Sequence, residues 1–136
     1  MKKSLSLLSV LLGLVFLLGN FSPAFAIPPL PAGFYGTLKI NGANVPVGLP
    51  VTAWIGGVPY ATAYAASYLE NTVFTLSVPG DDPATPAKEG GIQGETIEFK
   101  IGGISASPTA PWSSGTNVEL NLSATGVYIY LPLIAR

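Results

Sequence analysis

The side chains able to do chemistry in this chain are few, and their types narrow the choice early. Histidine and cysteine are both absent. Imidazole bases, thiolate nucleophiles and zinc held by His or Cys are therefore excluded. Paired carboxylates can hydrolyse glycosides. The seven acids here, however, fall on alternate positions of apolar-periodic segments, as Glu98 and Glu119 do, or in loops where they serve solubility. No serine precedes a lysine by three residues, so Ser-Lys chemistry has no local signature, and the chain reads as non-enzymatic. Asp81, Asp82 and Glu89 can offer loop carboxylates to calcium. They lack the acid ladder of an EF-hand, and an Asp-Pro turn capping a strand end is the simpler account. Nothing else in the sequence calls for a cofactor.

The aromatic residues offer a better binding surface. Trp54 alternates with Val51, Ala53 and Ile55, which places it on the outer face of a strand. Tyr60, Tyr64 and Tyr68 recur at a spacing that keeps them on one face, and a hairpin would fold them beside Trp54. Such a row is what sugar rings or partner proteins stack on. The competing reading packs these rings under a loop, under the tail or against a second sheet. Trp112, between Pro111 and Ser113, reads as a plug at the edge of the fold rather than a further platform residue.

The elements that must position these residues are strands. "GFYGTLKI", "VTAWI", "NTVFTLSV", "ETIEFKI" and "TNVELNLS" each alternate apolar with polar, the half-buried strand signal. Their predicted inward sets are Phe34, Leu38 and Ile40; Val51, Ala53 and Ile55; Phe74, Leu76 and Val78; Ile97, Phe99 and Ile101; and Val118, Leu120 and Leu122. Asn41-Gly42, Gly56-Gly57 and Gly102-Gly103 lie between such runs and suit tight hairpins. "PYATAYAASYLE" fits either a helix or a strand by spacing; the preceding Gly-Gly turn predicts a strand over 58–66. No amphipathic helix is evident. The longest loop is 78–96. Many strands with turn chemistry between them predict a β-sandwich.

The order of these pieces resembles a known module. "GTLKINGANVPVGLPVTAWIGG", "VFTLSVPGDD" and "ETIEFKIGG" are similar in pattern to the carboxypeptidase-regulatory-like, or transthyretin-like (prealbumin-like), family of secreted bacterial surface proteins, over roughly 33–123. The resemblance implies a single Greek-key, immunoglobulin- or prealbumin-like sandwich of about seven to nine strands and a non-catalytic accessory, adhesive or structural role. The chain departs from the pattern at "LENT" (69–72) and in an added hairpin, 104–122, containing "APWSSGTNVEL". Its "YLPLI" ending (Tyr130, Leu131, Pro132, Leu133 and Ile134) resembles that of other secreted surface proteins, which implies a label for export or attachment.

The two ends set the compartment. Lys2 and Lys3, the apolar run from Leu5 to Leu18 and the small residues Ala24 and Ala26 form a secretory signal over 1–26, cut before Ile27. The expected organisation is then a proline-rich lead-in (27–33), a sandwich domain (34–123) and a linker with an apolar tail (124–136). The mature chain holds four basic residues, Lys39, Lys88, Lys100 and Arg136, against seven acids, a net charge of −3, which disfavours nucleic acid as a partner. The tail's apolar run of eight residues, Val127 to Ile134, would span about 12 Å as a helix, far short of a bilayer. It is predicted instead as a strand over 127–131 docked on the domain, and the mature chain has no transmembrane helix. The sequence thus predicts a secreted, extracellular or cell-surface module for binding or adhesion, monomeric in dilute solution, with carbohydrate as the first-choice ligand and a surface protein as the other. The alternative is a structural envelope or filament subunit that assembles through edge strands and the apolar tail.

Overall fold

Three tight turns set the framework. Asn41-Gly42, Gly56-Gly57 and Gly102-Gly103 hold positive φ at both central positions, between 51° and 84°. This primed-turn geometry matches the right-handed twist of the flanking strands. The computed structural model describes residues 26–128 and the single positions Ser9 and Gly13. The rest of the predicted signal segment, with Ala24, and the Tyr130, Leu131, Pro132, Leu133 and Ile134 label lie outside the described residues.

The strands are β1 (Ala32–Ile40), β2 (Ala43–Asn44), β3 (Pro50–Ile55), β4 (Val58–Tyr64), β5 (Ala66–Tyr68), β6 (Asn71–Val78), β7 (Thr96–Ile101), β8 (Ile104–Pro111), β9 (Asn117–Glu119) and β10 (Leu122–Ala124). They join in one mixed ten-stranded sheet in the order β4-β3-β7-β8-β10-β1-β6-β5, with β2 and β9 also paired to β1. The two ends of that order, β4 and β5, are one run of chain broken only at Ala65. The sheet therefore curls back on itself into a near-barrel. At the break, the Ala65 N–H donates to Leu49 O at 2.9 Å and its carbonyl accepts from Gly48 N at 2.8 Å. The buried kink thus keeps both backbone groups paired.

Strand β1 is the hinge of the fold. Ala32 to Thr37 pair antiparallel with β6, while Gly33 to Tyr35 and Leu38 to Ile40 pair in parallel with β9 and β10. Gly36 sits where the parallel ladder is interrupted. A Cβ there would collide with the backbone carbonyl of Leu120, so only glycine permits this approach. Across the interruption the Leu120 N–H donates to Tyr35 O at 2.7 Å. The Asn121 side chain then takes the role of a backbone acceptor, receiving the Thr37 N–H at 2.9 Å and its hydroxyl at 3.0 Å.

The inward faces of β1, β3, β6 and β7 fill the interior. Phe34, Val51, Phe74 and Phe99 are among the side chains almost wholly removed from water. Phe34 and Phe99 meet edge to face, with ring centroids 5.3 Å apart and planes at 71°. Burial of each such ring is worth about 1.5–3 kcal/mol, before the added term for the ring pair.

The all-β class follows the prediction, and residues 26–128 contain no helix. No helix of the described residues is long and apolar enough to cross a membrane. The arrangement differs from the predicted sandwich of seven to nine strands: ten strands form a single curled sheet. The predicted hairpin over 104–122 is met in part: β8 pairs antiparallel with β10, Ser107 with Ser123 and Ala106 with Ala124, but β9 lies between them in the chain and joins β1. Strand β8 pairs with β7, and after a loop β9 and β10 run parallel to β1. Val118, predicted inward, is 39% exposed, while Leu122 is 1% exposed. The short parallel strand β9 lies along one side of β1, and its alternation no longer tracks the interior. The predicted strand at 127–131 is also revised at its start: Val127 and Tyr128 are not in a strand, and Tyr128 packs on the core. The remainder of that segment is outside the described residues.

Candidate functional site

The aromatic row expected from Trp54, Tyr60, Tyr64 and Tyr68 is divided by two backbone irregularities. Trp54 faces outward as its register demands, but it is half-buried. The Lys100 ammonium lies 3.9 Å from the centroid of its ring, and the indole N–H donates to the Thr52 hydroxyl at 2.8 Å. This cation–π contact occupies the ring. Between β3 and β4 a bulge skips one residue, since Ala53 faces Ala61 but Trp54 faces Pro59. Tyr60 is the skipped residue, and its ring packs on the core. Tyr64 pairs with Pro50, about 13 Å along the strand from Trp54. Tyr68 lies beyond the kink at Ala65 and pairs with Asn71 on the opposite wall. These four rings therefore do not form one flat platform.

Tyr68 instead lines a cleft together with a different tyrosine. The outer face of the β9-β1-β6-β5 wall carries Glu119, Tyr35 and Thr75 side by side, because Tyr35 pairs with both of the others. Thr37 and Val73 form the next rank, and Tyr68 with Asn71 the one after. The result is a cleft of about 310 Å³ between Tyr35 and Tyr68, floored by Gly36 and Val73, with Thr37, Thr75, Glu119 and Asn121 along it. Tyr68 is 65% exposed and Tyr35 40% exposed, so both rings present an accessible face. The Asn121 carbonyl is held by Thr37, which fixes the amide plane and leaves its NH₂ group as a directed donor. The Glu119 carboxylate supplies acceptors and the threonine hydroxyls supply both functions. Two apolar faces around a few fixed polar groups are the composition of a small-molecule cleft.

The loop acids are placed differently. Asp81 Oδ1 accepts the Glu89 N–H at 2.9 Å, and Asp82 Oδ1 accepts the Ala84 N–H at 2.9 Å. These carboxylates order the loop, the second as an Asx turn. Among the described residues no three His, Cys, Asp or Glu side chains gather in a way that could hold a metal ion. Glu95 pins the other end of the loop. It pairs with Lys88 and accepts the Ile92 N–H at 2.8 Å. The hydrogen bond from Lys88, and secondly that from Ile92, hold the Glu95 carboxyl below the usual carboxylate range.

Trp112 is a plug, as its proline-flanked position suggests. It is 2% exposed, its indole N–H donates to Val78 O at 3.1 Å, and its ring lies against Gly80 and Gly91.

Sequence reasoning found Tyr68 but not Tyr35, Thr37, Glu119 or Asn121 as its companions. Their outward alternation in "GFYGTLKI" and "TNVELNLS" is visible. What is missing locally is the parallel pairing that brings 117–121 beside 33–37. The chain matches no family model, no curated protein and no solved structure.

Proposed function

We propose that this chain is a secreted, non-catalytic module of a bacterial cell surface, and that it binds carbohydrate in the Tyr35–Tyr68 cleft. The observation that carries the reading is the cleft itself: two exposed tyrosines line it together with hydroxyl, amide and carboxylate groups on a hydrogen-bonded sheet. Apolar sugar faces stack on such rings while sugar hydroxyls pair with the fixed polar groups. The signal-like start supports export. The run "GTLKINGANVPVGLPVTAWIGG", which forms the second part of β1, its Asn41-Gly42 turn, β2 and β3, supports derivation from a transthyretin-like Greek-key module. In that derivation the near-barrel is a sandwich closed by the kinked β4–β5 run.

The test is a glycan array followed by calorimetry on the best oligosaccharide. A sugar covering roughly 60 Å² of the Tyr68 face would gain about 1.5 kcal/mol, so Tyr68→Ala should weaken binding about tenfold. Tyr35→Ala should do the same, and Trp54→Ala should leave affinity unchanged. Absence of any glycan ligand, or a loss confined to Trp54→Ala, would refute the proposal.

A further inference from the structure

The charges around the Tyr35–Tyr68 cleft are unbalanced. Glu119 is the one charged side chain that lines it, and it is exposed. Among the described residues the only ion pair joins Lys88 to Glu95, so the Glu119 carboxylate has no cationic partner there. Every lysine of the described residues is engaged elsewhere. Lys88 pairs with Glu95, and Lys100 lies over the Trp54 ring. Lys39 donates to Asn44 Oδ1 at 2.6 Å and to Asn71 Oδ1 at 3.5 Å. From Ile27 onward the chain sets four basic residues against seven acids, so the field of the whole molecule adds to that of Glu119.

The geometry favours a cation at one end of the cleft. Glu119 and Tyr35 are direct partners across the parallel β9–β1 ladder, so their side chains leave the same face about 5 Å apart. The Tyr35 ring is 40% exposed. A cation within about 6 Å of an aromatic centroid is attracted by the negative face of the ring, and an ammonium held by Glu119 is within that reach. Tyr68 marks the other end. It pairs with Asn71, which in turn accepts from Lys39. Lys39 stands four residues along β1 from Tyr35, or about 13 Å. That separation exceeds one hexose ring, so the fitting occupant is a short chain of sugars. A sheet face with a ring toward each end suits an extended, equatorially linked chain.

We infer that the sugar bound in this cleft is an amino sugar with a free amine, in an oligosaccharide whose ammonium pairs with Glu119 beside Tyr35 while a further unit stacks on Tyr68. This deepens the carbohydrate reading and rests on it. N-acetylation would remove the positive charge and leave Glu119 unpaired, so the site discriminates between free and acetylated amines. Both contacts face water. An exposed ion pair and an exposed cation–π contact together favour the free amine about fivefold.

Calorimetry on the chain beginning at Ile27 tests this with three β-1,4-linked tetrasaccharides that differ only at C2: those of glucosamine, N-acetylglucosamine and glucose. With the amine protonated, the glucosamine tetramer should bind about fivefold tighter than the other two. The preference should shrink with added salt, and again as pH rises through the pKa of the sugar amine. Glu119→Gln, at an exposed position, should leave the circular dichroism spectrum unchanged, abolish the preference and spare the binding of the neutral tetramers. Tyr68→Ala should weaken all three. Neutral tetramers that bind as tightly as the amine, or a preference that survives Glu119→Gln, would overturn the amine assignment and leave the carbohydrate reading standing. Tetralysine binding as tightly as the glucosamine tetramer would overturn it too, because charge alone would then suffice. If none of the three tetramers binds, the amine assignment falls; a different glycan found in the cleft would then keep the broader reading, and the absence of any would sink both.

Discussion

Replacing Trp112 with phenylalanine isolates what the plug contributes. The change removes the indole N–H bonded to Val78 O at 3.1 Å and leaves that acceptor beside a side chain that is 0% exposed. An orphaned buried carbonyl costs about 1–3 kcal/mol. The smaller ring also leaves a void of roughly 40 Å³, worth about 1 kcal/mol at ~24 cal/mol per Å³. Together these predict a loss of about 2–4 kcal/mol. At about 4–8 °C per kcal/mol for a domain of roughly 100 residues, the melting temperature should fall by about 10 °C or more. Differential scanning calorimetry and urea titration of Trp112→Phe measure it. Gly91→Ala provides a companion, since a Cβ at Gly91 would overlap the Trp112 ring. It should destabilise comparably alone but add much less in a Trp112→Leu background, because the two changes act on one contact. A Trp112→Phe loss under about 0.5 kcal/mol, or full additivity with Gly91→Ala, would refute the account of how the loop is anchored.

Three further outcomes follow from the same geometry. Asn121→Ala removes both bonds from Thr37 and should cost about 1–2 kcal/mol; Asn121→Asp keeps the acceptor and should recover most of it, as urea titration will show. Glu95 has a lowered pKa chiefly through its hydrogen bond from Lys88, so its stabilising effect is present above the ordinary carboxylate range and lost as pH falls through the lowered value. The melting-temperature gap between the native chain and Glu95→Gln should therefore close on acidification, and a gap that widens would reverse the sign. Millimolar calcium should move the melting temperature by no more than about 2 °C, given that Asp81 and Asp82 already bond the loop backbone; a rise of many degrees would make those acids ligands.

Local pattern carried much of this fold. The three Gly-containing turns appear where their dipeptides stand, and Phe34, Val51, Phe74 and Phe99 are buried as alternation required. Turn chemistry and period-two burial act within a few residues, so a single sequence displays them. Pairing of 117–124 with β1 acts over a separation of 84 residues and leaves no periodic trace. The bulge at Tyr60 and the kink at Ala65 were equally hidden. The bulge turns the Tyr60 ring onto the core, and the kink carries Tyr68 onto β5, on the wall that holds Tyr35. The candidate site was thus legible as to residue type, exposed tyrosine on a strand, but not as to which tyrosines line one cleft.

The central claim is that sugar binds in that cleft. Its most direct test is a ¹H–¹⁵N chemical-shift map of the chain from Ile27, titrated with the best array oligosaccharide. The account predicts shifts confined to the amides of Tyr35, Thr37, Tyr68, Val73, Glu119 and Asn121, together with the Asn121 side-chain NH₂. Shifts centred on Trp54 and Tyr64 with a silent cleft would contradict it.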